Sequence, residues 1–208
     1  MSSKTSLWIG AVRLVLASKS ASRRLLLESA GIDVEVEAAA IDERRLEREF
    51  LERGGSVADL APLLARAKAL DVSARRPQAL CLGADQTLAL AGELFHKAAD
   101  SEEAVRNLRK LAGRTHVLNS ALCVARDGEV LFETQRQASM TMRALDDSAI
   151  RRYLAAAGPA VLSSVGAYQV EGLGIHLFEA IEGDQSTILG LPLLPLLQWL
   201  RGQGCLSL

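Results

Sequence analysis

Hydrophobic positions in the first third of the chain change from strand-like runs to helical spacing and back. A short apolar run rich in β-branched residues predicts a strand over 12–17, and the leucine-rich pattern that follows predicts a helix over 22–30. Alternating polar and apolar residues predict a half-exposed strand over 34–38. The apolar positions of 56–72 share one helical face, so a second helix is predicted there.

Dense charge of both signs fills Arg44 to Arg53, and Gly54-Gly55-Ser56 interrupts it. This composition predicts a mobile, solvated segment. From its charge and its glycines we expect 44–55 to close as a lid over a bound ligand.

The middle of the chain contains a continuous apolar run, Leu80 to Ala84, that is typical of a buried strand. We expect the strand to stop at Asp85-Gln86 and strand character to resume over 87–90.

The remaining elements are predicted from capping pairs, turn residues and glycine content. They are a helix from Asp100 to Leu111, a β-hairpin of 117–125 and 130–134 around Asp127-Gly128, a further strand over 139–143, a helix that begins at Asp146 and ends before Gly158-Pro159, a glycine-rich loop and strand over 164–181, and a C-terminal helix with Pro192 near its first turn. Helices and strands alternate first and hairpins dominate later, which favours an α/β protein with a mixed sheet.

Composition and charge narrow the class of protein. The 208 residues suit one domain or two small lobes, and a formal net charge of −1 argues against a nucleic-acid-binding protein. The longest apolar tract, 188–200, is too short to span a membrane and contains two prolines. Three widely spaced cysteines without a Cys-x-x-Cys pair argue against a disulfide framework or a zinc site, and they favour a reducing cytoplasm.

The strand–helix junction near the N-terminus is the first candidate for chemistry. Small hydroxyl residues end the strand, at Ser18, Ser20 and Ser22, and the helix follows. The first turn of a helix leaves backbone N–H groups unpaired and is electrostatically positive, so it can hold a phosphate. Arg23 and Arg24 oppose that dipole, which makes sense if a polyanion lies between them. The alternative is a surface helix with two solvated arginines.

Asp85 is the strongest single candidate for catalysis. An aspartate directly after a buried strand lies at the carboxyl end of that strand, where open α/β sheets bind their ligands. It is suited to bind Mg²⁺ or to act as a base on water, and the alternative is a turn-capping residue. Glu43 is a second carboxylate that can share a metal with Asp85, or else a surface acid. Lys68 and Lys97 are phosphate-binding candidates on charge alone, and each is otherwise a solvated lysine.

Common catalytic motifs are absent from the sequence. The three histidines, His96, His116 and His176, show no metal-ligand spacing, and no nucleophile–base pair supports Ser-His-Asp catalysis. Neither GxxxxGK[ST] nor GxGxxG occurs, which removes the usual P-loop and Rossmann interpretations.

Short motifs follow one another over nearly the whole chain, and each is weak alone. They are Leu16-Ala-Ser-Lys-Ser-x-x-Arg-Arg24, Asp42-Glu43, Leu64-Ala-Arg-Ala-Lys-Ala69, Gly83-Ala-Asp-Gln86, Lys97, Gly113-Arg-Thr-His116, Gly166-Ala-Tyr168, Glu171-Gly172 and Leu189-Gly-Leu-Pro-Leu193. As an ordered set they are highly specific. The sequence resembles the Maf family of nucleoside triphosphate pyrophosphatases, which includes septum formation protein Maf.

The resemblance implies a single Maf-like domain over 1–208, with a fold like that of inosine triphosphate pyrophosphatases. That fold is α/β, with an elongated mixed β-sheet flanked by helices and a cleft between two lobes. The implied reaction is hydrolysis between the α and β phosphates of a nucleoside triphosphate, which gives the monophosphate and pyrophosphate. A divalent metal cation, Mg²⁺ or Mn²⁺, is the implied cofactor.

The resemblance also implies roles for residues of this chain. Asp85 would be the proton acceptor that activates water, and Glu43 would share the metal with it. The triphosphate would be held by Ser18, Ser20, Arg23, Arg24, Lys68 and Lys97. Such a site suits phosphate chemistry, because positioning and charge neutralisation supply most of the catalysis and a divalent metal adds to both.

Three positions bear on the choice of base: Ser22, Gln86 and Glu171. The pyrimidine-triphosphate branch of the family has Arg, Thr and Gln there. Gln86 and Glu171 resemble the branch that acts on 7-methylguanosine triphosphate, and an acidic Glu171 can accept hydrogen bonds from guanine. That branch has Trp where this chain has Ser22, so a stacking platform is missing. Ala98 and Ser163-Ser164 are further departures from the family pattern.

Two other functions stay open from the sequence: a dTTP/UTP pyrophosphatase, and a nucleotide-binding regulator of septum formation with little turnover. In the preferred interpretation the protein is a cytoplasmic housecleaning hydrolase that acts on a modified or non-canonical nucleotide. It is expected to bind neither nucleic acid nor membrane, and a homodimer is compatible with the resemblance.

Overall fold

Strands and helices alternate along the computed structural model, which describes residues 6–208. The strands are β1 (Leu14–Leu16), β2 (Glu35–Val36), β3 (Leu80–Leu90), β4 (Glu93–Phe95), β5 (Thr115–Arg126), β6 (Glu129–Met142) and β7 (Phe178–Glu182). The α-helices are α1 (Ala21–Ser29), α2 (Glu43–Glu52), α3 (Leu60–Arg75), α4 (Ser101–Leu111), α5 (Asp147–Ala157), α6 (Gln185–Ile188) and α7 (Leu193–Gly202). Short 3₁₀ helices cover Val57–Asp59, Pro159–Ser163 and Leu173–Leu177.

The strands form a mixed sheet in the order β2-β1-β3-β5-β6-β7, and β4 pairs with β3. Strand β1 is parallel to both of its neighbours, since Leu16 is in register with Val36 on one side and with Leu82 on the other. Strands β3 and β4 are antiparallel, as are β6 and β7. The predicted α/β class with a mixed, helix-flanked sheet is confirmed.

The chain divides into two compact units. The first contains the residues up to Gln86 together with 120–136 and 184–208, and the second contains 87–119 and 137–183. Strands β3, β5 and β6 each contribute residues to both units.

Each unit has its own buried apolar residues. In the first unit, leucines of β1, α1, β3 and α7 form one cluster that includes Leu16, Leu27, Leu82 and Leu196. In the second unit α4 packs against α5, and Leu108 and Ile150 are fully buried. Among residues 6–208, none of the helices has the length and apolarity that a membrane span needs.

Local capping and turn signals predict several elements correctly. Asp100 and Asp146 cap α4 and α5, each accepting a hydrogen bond from a backbone N–H of the first turn. The β-hairpin is confirmed as β5 and β6, joined at Asp127-Gly128, where both residues have positive φ, as a tight two-residue hairpin turn requires. Cys81, Cys123 and Cys205 are buried free thiols, as the cysteine count indicates.

The predicted mobile, solvated segment over Arg44–Arg53 is helical, because these residues lie in helix α2 and its C-cap. The closure of 44–55 as a lid stays a prediction. Asp42 caps this helix through its Oδ1, which accepts from the backbone N–H of Arg45 at 2.9 Å. One turn further on, Arg45 pairs with Glu49 at 2.7 Å. Such i,i+4 pairs stabilise an exposed helix although none of its residues is buried.

Several predicted strand boundaries are also wrong. Strand β3 does not stop at Asp85-Gln86 but continues to Leu90, so Asp85 lies within a strand and not at its carboxyl end. Residues 139–143 are not a separate strand, because β6 continues through 134–138 to Met142. In both places polar side chains interrupt the apolar pattern while the backbone remains in the sheet. Strand 34–38 is shorter than predicted and covers only Glu35–Val36.

Candidate active site

Helix α3 and strand β3 approach each other closely at Gly83. A Cβ atom at this position would lie 2.0 Å from the carbonyl oxygen of Ala65 and 2.6 Å from the amide nitrogen of Ala69, so no side chain fits. Both alanines are fully buried. The small residues on the two elements therefore bring Lys68, on the same turn of α3, against the strand that contains Asp85.

Lys68 forms ion pairs with two carboxylates. Its Nζ lies 2.5 Å from Oδ1 of Asp85 and 3.0 Å from Oε2 of Glu43, the first residue of α2. The side chains of Lys68 and Asp85 are 9% and 10% exposed, and that of Glu43 is 50% exposed. Removing charges from water is costly, and here the opposite charges compensate one another. One ammonium faces two carboxylates, and the charge of Arg23 also acts on both of them.

The two carboxylates fit a divalent metal. Both converge on one cationic centre, and Mg²⁺ is usually held by one or two carboxylates together with water and substrate phosphates. Among the described residues, no cluster of three His, Cys, Asp or Glu side chains is placed to hold a metal ion. A metal at Glu43 and Asp85 would therefore need oxygens from a ligand or from water, and its binding there stays a prediction.

The loop between β1 and α1 is organised by its own serines. Ser20 caps α1, because its Oγ accepts from the backbone N–H of Arg23 at 3.3 Å. The backbone N–H of Ser20 in turn donates to Oγ of Ser18 at 3.2 Å. The strand, hydroxyl-rich loop and helix N-terminus that the sequence predicts are therefore all present.

Arg23 connects three segments of the first unit. Its Nη1 donates to the carbonyl oxygen of Ala84 at 2.7 Å and to Oγ of Ser18 at 3.2 Å, and its Nε donates to the carbonyl oxygen of Gly190 at 2.9 Å. Burial lowers the pKa of Arg23, while the nearby acidic side chains raise it. The guanidinium remains charged, and Nη2 adds two N–H donors. Arg23 is thus suited to bind phosphate from a fixed position.

Gly190 lies against the guanidinium of Arg23. Its φ of +92° is in the region that favours glycine, and a Cβ there would be 3.3 Å from Nε and Nη2 of Arg23. The same Cβ would be 3.6 Å from Oε1 of Gln86. The glycine in the Leu189–Leu193 motif is therefore explained by the approach of these two side chains.

Gln86 directs its amide nitrogen towards other parts of the protein. Nε2 lies 2.9 Å from Oγ of Ser120, 3.1 Å from the carbonyl oxygen of Thr187 and 3.0 Å from that of Ile188. A residue predicted to select the base thus also fixes the segment that leads to Gly190.

The sequence interpretation misses three residues that complete this network. Ser120 Oγ donates to the carbonyl oxygen of Thr187 at 2.7 Å, and Asp184 accepts from the Thr187 backbone N–H at 2.9 Å and from its hydroxyl at 2.5 Å. Ser120 and Thr187 are completely buried. Ser120 gives a signal in the sequence, because it adjoins an apolar run and buried polar groups need hydrogen-bond partners. Asp184 and Thr187 lie in the polar stretch 183–187, where the spacing of a helix cap is the available signal.

The other predicted site residues are placed as follows. Arg24 is exposed and its Nε donates to Glu28 Oε1, one turn along α1, at 2.6 Å. Ser22 is half-buried on α1. Lys97 and Glu171 belong to the second unit, and both are exposed. The roles predicted for these four residues stay predictions.

Comparison with known proteins gives a consistent result. The sequence model of the family described as Maf-like protein matches residues 13–203. A 7-methyl-GTP pyrophosphatase of Brucella abortus biovar 1 (strain 9-941) is 54% identical over 94% of this chain and 98% of its own length. A protein of the same name from Mesorhizobium japonicum is 55% identical over 94% of this chain and 98% of its own length. A nucleoside triphosphate pyrophosphatase of Bradyrhizobium diazoefficiens is 52% identical over 95% of this chain and 96% of its own length.

Proposed function

This chain belongs to the Maf family, and on that premise we propose that it is a nucleoside triphosphate pyrophosphatase. It hydrolyses the bond between the α and β phosphates and releases the nucleoside monophosphate and pyrophosphate. The observation that supports this best is the buried Asp85–Lys68 ion pair, which the half-exposed Glu43 joins, together with Arg23 on the serine-capped helix α1.

In the proposed reaction Asp85 accepts a proton from the attacking water. The water oxygen forms a bond to the α phosphorus, the bond from that phosphorus to the α–β bridging oxygen breaks, and pyrophosphate leaves. Lys68 fixes one carboxylate oxygen of Asp85 by its hydrogen bond, which leaves the other oxygen as a proton acceptor. No covalent intermediate with the protein is needed, because the barrier is lowered mainly by positioning and by charge neutralisation.

The cationic side chains of the first unit have defined tasks in this scheme. Arg23 is held at Nε and Nη1 by protein oxygens, so it offers a preorganised charge to the triphosphate. Lys68 adds a second positive charge, and its ammonium has N–H donors beyond the one that Asp85 accepts. Glu43 and Asp85 would hold that divalent metal, which when bound neutralises phosphate charge and activates water.

We propose 7-methyl-GTP as the preferred substrate. Relatives at 54% and 55% identity over nearly the full length are named 7-methyl-GTP pyrophosphatases. Methylation at N7 gives the guanine ring a positive charge, and an exposed carboxylate such as Glu171 would favour that ring over uncharged guanine. Glu171 would therefore contribute to the choice of base.

The test is a substrate panel with Mg²⁺ that compares 7-methyl-GTP, GTP, dTTP and UTP. Pyrophosphate and nucleoside monophosphate are measured separately. Equal yields of the two products, with kcat/KM for 7-methyl-GTP about tenfold or more above that for GTP, are expected. Preference for dTTP or UTP would overturn the substrate assignment. Nucleotide binding without any pyrophosphate release would favour the regulator and overturn the enzyme.

A Glu171→Gln variant gives the matched control for base selection, since it keeps the size of the side chain and removes its charge. Its kcat/KM for 7-methyl-GTP should fall towards the value for GTP, and its activity on GTP should not change. Equal activity of the variant and the original protein on both nucleotides would exclude Glu171 from base selection.

A further inference from the structure

A buried hydrogen bond joins two motifs that the proposed reaction does not use. His116 Nε2 lies 2.7 Å from the hydroxyl oxygen of Tyr168, and the two residues are 0% and 5% exposed. His116 is near the start of β5 in the Gly113–His116 motif, and Tyr168 ends the Gly166–Tyr168 motif. Both residues belong to the second unit.

A histidine–tyrosine pair is energetically less favourable than apolar side chains for filling an apolar space. Burial lowers the pKa of His116 to about 4, so the ring is neutral. Its Nδ1 is buried, and within the described part of the chain it has no hydrogen-bond partner. An aliphatic side chain would avoid that unpaired nitrogen, so packing alone does not account for a histidine here.

The turn that contains Tyr168 is strained at Ala167. Gly166 has a φ of +81° and the completely buried Ala167 has a φ of +56°. Backbone strain of this kind persists only where surrounding contacts enforce it. Further contacts act on this turn besides the His116 bond. The hydroxyl of Tyr153 donates to the carbonyl oxygen of Ala167 at 3.3 Å, and the Tyr168 ring packs edge-on against Phe178 at 4.9 Å.

The same turn is paired with the backbone of Lys97. Val165 forms an antiparallel bridge with Lys97. Ala98, the residue after Lys97, packs in one buried cluster with Ala104 and Ala167. The position of the turn therefore determines where the exposed Lys97 begins its side chain.

We propose that His116 and Tyr168 are positioning residues for Lys97. Their hydrogen bond holds the 165–168 turn in its strained form, and the turn fixes the Lys97 backbone, so that the ammonium of Lys97 is preorganised to bind phosphate. The inference rests on the proposed function, since Lys97 acts on phosphate only if the protein binds a nucleoside triphosphate.

The test is a double-mutant cycle between Tyr168→Phe and Lys97→Ala. Tyr168→Phe removes only the hydroxyl. We expect kcat/KM for 7-methyl-GTP to fall about tenfold, mostly because KM rises. A change of about tenfold corresponds to the loss of one hydrogen bond. In the Lys97→Ala background the same change should have no further effect, because the residue that it positions is gone. If the hydrogen bond only stabilised the fold, Tyr168→Phe would lower the melting temperature and would change kcat/KM by the same factor with and without Lys97. That result would overturn the proposal.

A second variant guards against failure to fold. His116→Leu/Tyr168→Phe removes both polar partners together, which is commonly far less destabilising than removing one. It should show the same loss of kcat/KM as Tyr168→Phe and the same absence of effect without Lys97. His116→Gln keeps a side chain that can form a hydrogen bond with the Tyr168 hydroxyl. Its kcat/KM should therefore lie between that of the doubly apolar variant and that of the original protein. Normal kinetics in the doubly apolar variant would overturn the proposal.

Binding is measured in the same cycle with a non-hydrolysable triphosphate analogue. If the original protein binds the analogue but releases no pyrophosphate, the proposed function fails and the coupling is judged from Kd. If it releases pyrophosphate and the two substitutions act independently, the proposed function stands and the inference fails. Absence of both binding and turnover overturns both.

Discussion

The ammonium of Lys68 and the carboxylate of Asp85 form a buried ion pair, with 2.5 Å between Nζ and Oδ1. Helix α3 supplies the positive charge, and the middle of strand β3 supplies the negative one. This pair contributes to stability and also to the proposed function, because its carboxylate is the proposed proton acceptor and its ammonium is a proposed phosphate ligand.

Lys68→Met should damage both properties. It leaves Asp85 buried without its cation, and removal of one partner from a buried pair costs about 3 kcal/mol or more. Urea denaturation should show that loss in the free energy of unfolding. Pyrophosphate release should fall about 100-fold or more as preorganised charge is lost.

Lys110→Met is the matched control, because it removes a lysine from an exposed pair with Glu93. Its free energy of unfolding should stay within about 0.5 kcal/mol of the original value. Equal stability of the Lys68 and Lys110 variants would contradict a structural role for the Lys68–Asp85 pair.

Gly83→Ala should separate α3 from β3. The added methyl group would lie 2.0 Å from the Ala65 carbonyl oxygen, so the helix must move. We expect a loss of about 3 kcal/mol in the free energy of unfolding, at the upper end for overpacked cores, together with slower pyrophosphate release as Lys68 leaves Asp85. Gly202→Ala, where a Cβ would have no neighbour within 4 Å among the described residues, should be as stable as the original or slightly more so. A stable, active Gly83→Ala protein would show that α3 need not approach β3 so closely.

Gln86→Glu distinguishes a structural role of Gln86 from base recognition. The change replaces the donor that faces Ser120, Thr187 and Ile188 with an oxygen that cannot donate. We expect a loss of about 2 kcal/mol in stability and lower kcat/KM on every nucleotide, because the segment that holds Arg23 through Gly190 is disturbed. Gln203→Glu, on the exposed C-cap of α7, adds the same charge and should change neither property. If instead the ratio of kcat/KM between 7-methyl-GTP and GTP changes while stability does not, Gln86 reads the base directly.

His116 makes stability depend on pH in the acid range. Its pKa is about 4 when folded and 6.5 as a free side chain, so the unfolded chain binds more protons between these values and stability must rise with pH. The stabilisation from the neutral, buried His116 is fully present above about pH 6.5. The free energy of unfolding falls by about 3 kcal/mol as the pH drops to 4. Urea denaturation at pH 7 and pH 4 should show this loss in excess of that in His116→Leu/Tyr168→Phe, which has no histidine there. The same pH dependence in both proteins would contradict burial of a neutral His116.

Much of the fold follows from short-range patterns. The caps Ser20, Asp100 and Asp146 act within their own first turn, and Asp127-Gly128 defines its hairpin locally, so the sequence contains the whole signal. Helix α2 was missed because its stability comes from a cap and charge pairs, while its lack of buried residues looks like a solvated segment.

The site depends on contacts that no local pattern contains. Arg23 donates hydrogen bonds to the carbonyl oxygens of Ala84 and Gly190, which are 61 and 167 positions away from it in the chain. Lys68 and Asp85 are 17 positions apart. The sequence predicts Asp85 at a strand end, because a charged residue inside a buried strand is unfavourable unless a partner such as Lys68 compensates it. The resemblance to the Maf family points to Lys68, Glu43 and Asp85, and the structure brings these three side chains together. The close packing at Gly83 explains why Lys68 and Asp85 meet, while their roles in the reaction stay predictions.

The most direct test of the central claim is Asp85→Asn, measured for nucleotide binding by calorimetry and for pyrophosphate release from 7-methyl-GTP with Mg²⁺. Asparagine keeps the shape of the side chain and loses the proton acceptor. Turnover should fall about 100-fold or more, while the affinity for the nucleotide stays within a few-fold of the original. Turnover of the variant close to that of the original protein would contradict Asp85 as the residue that activates water.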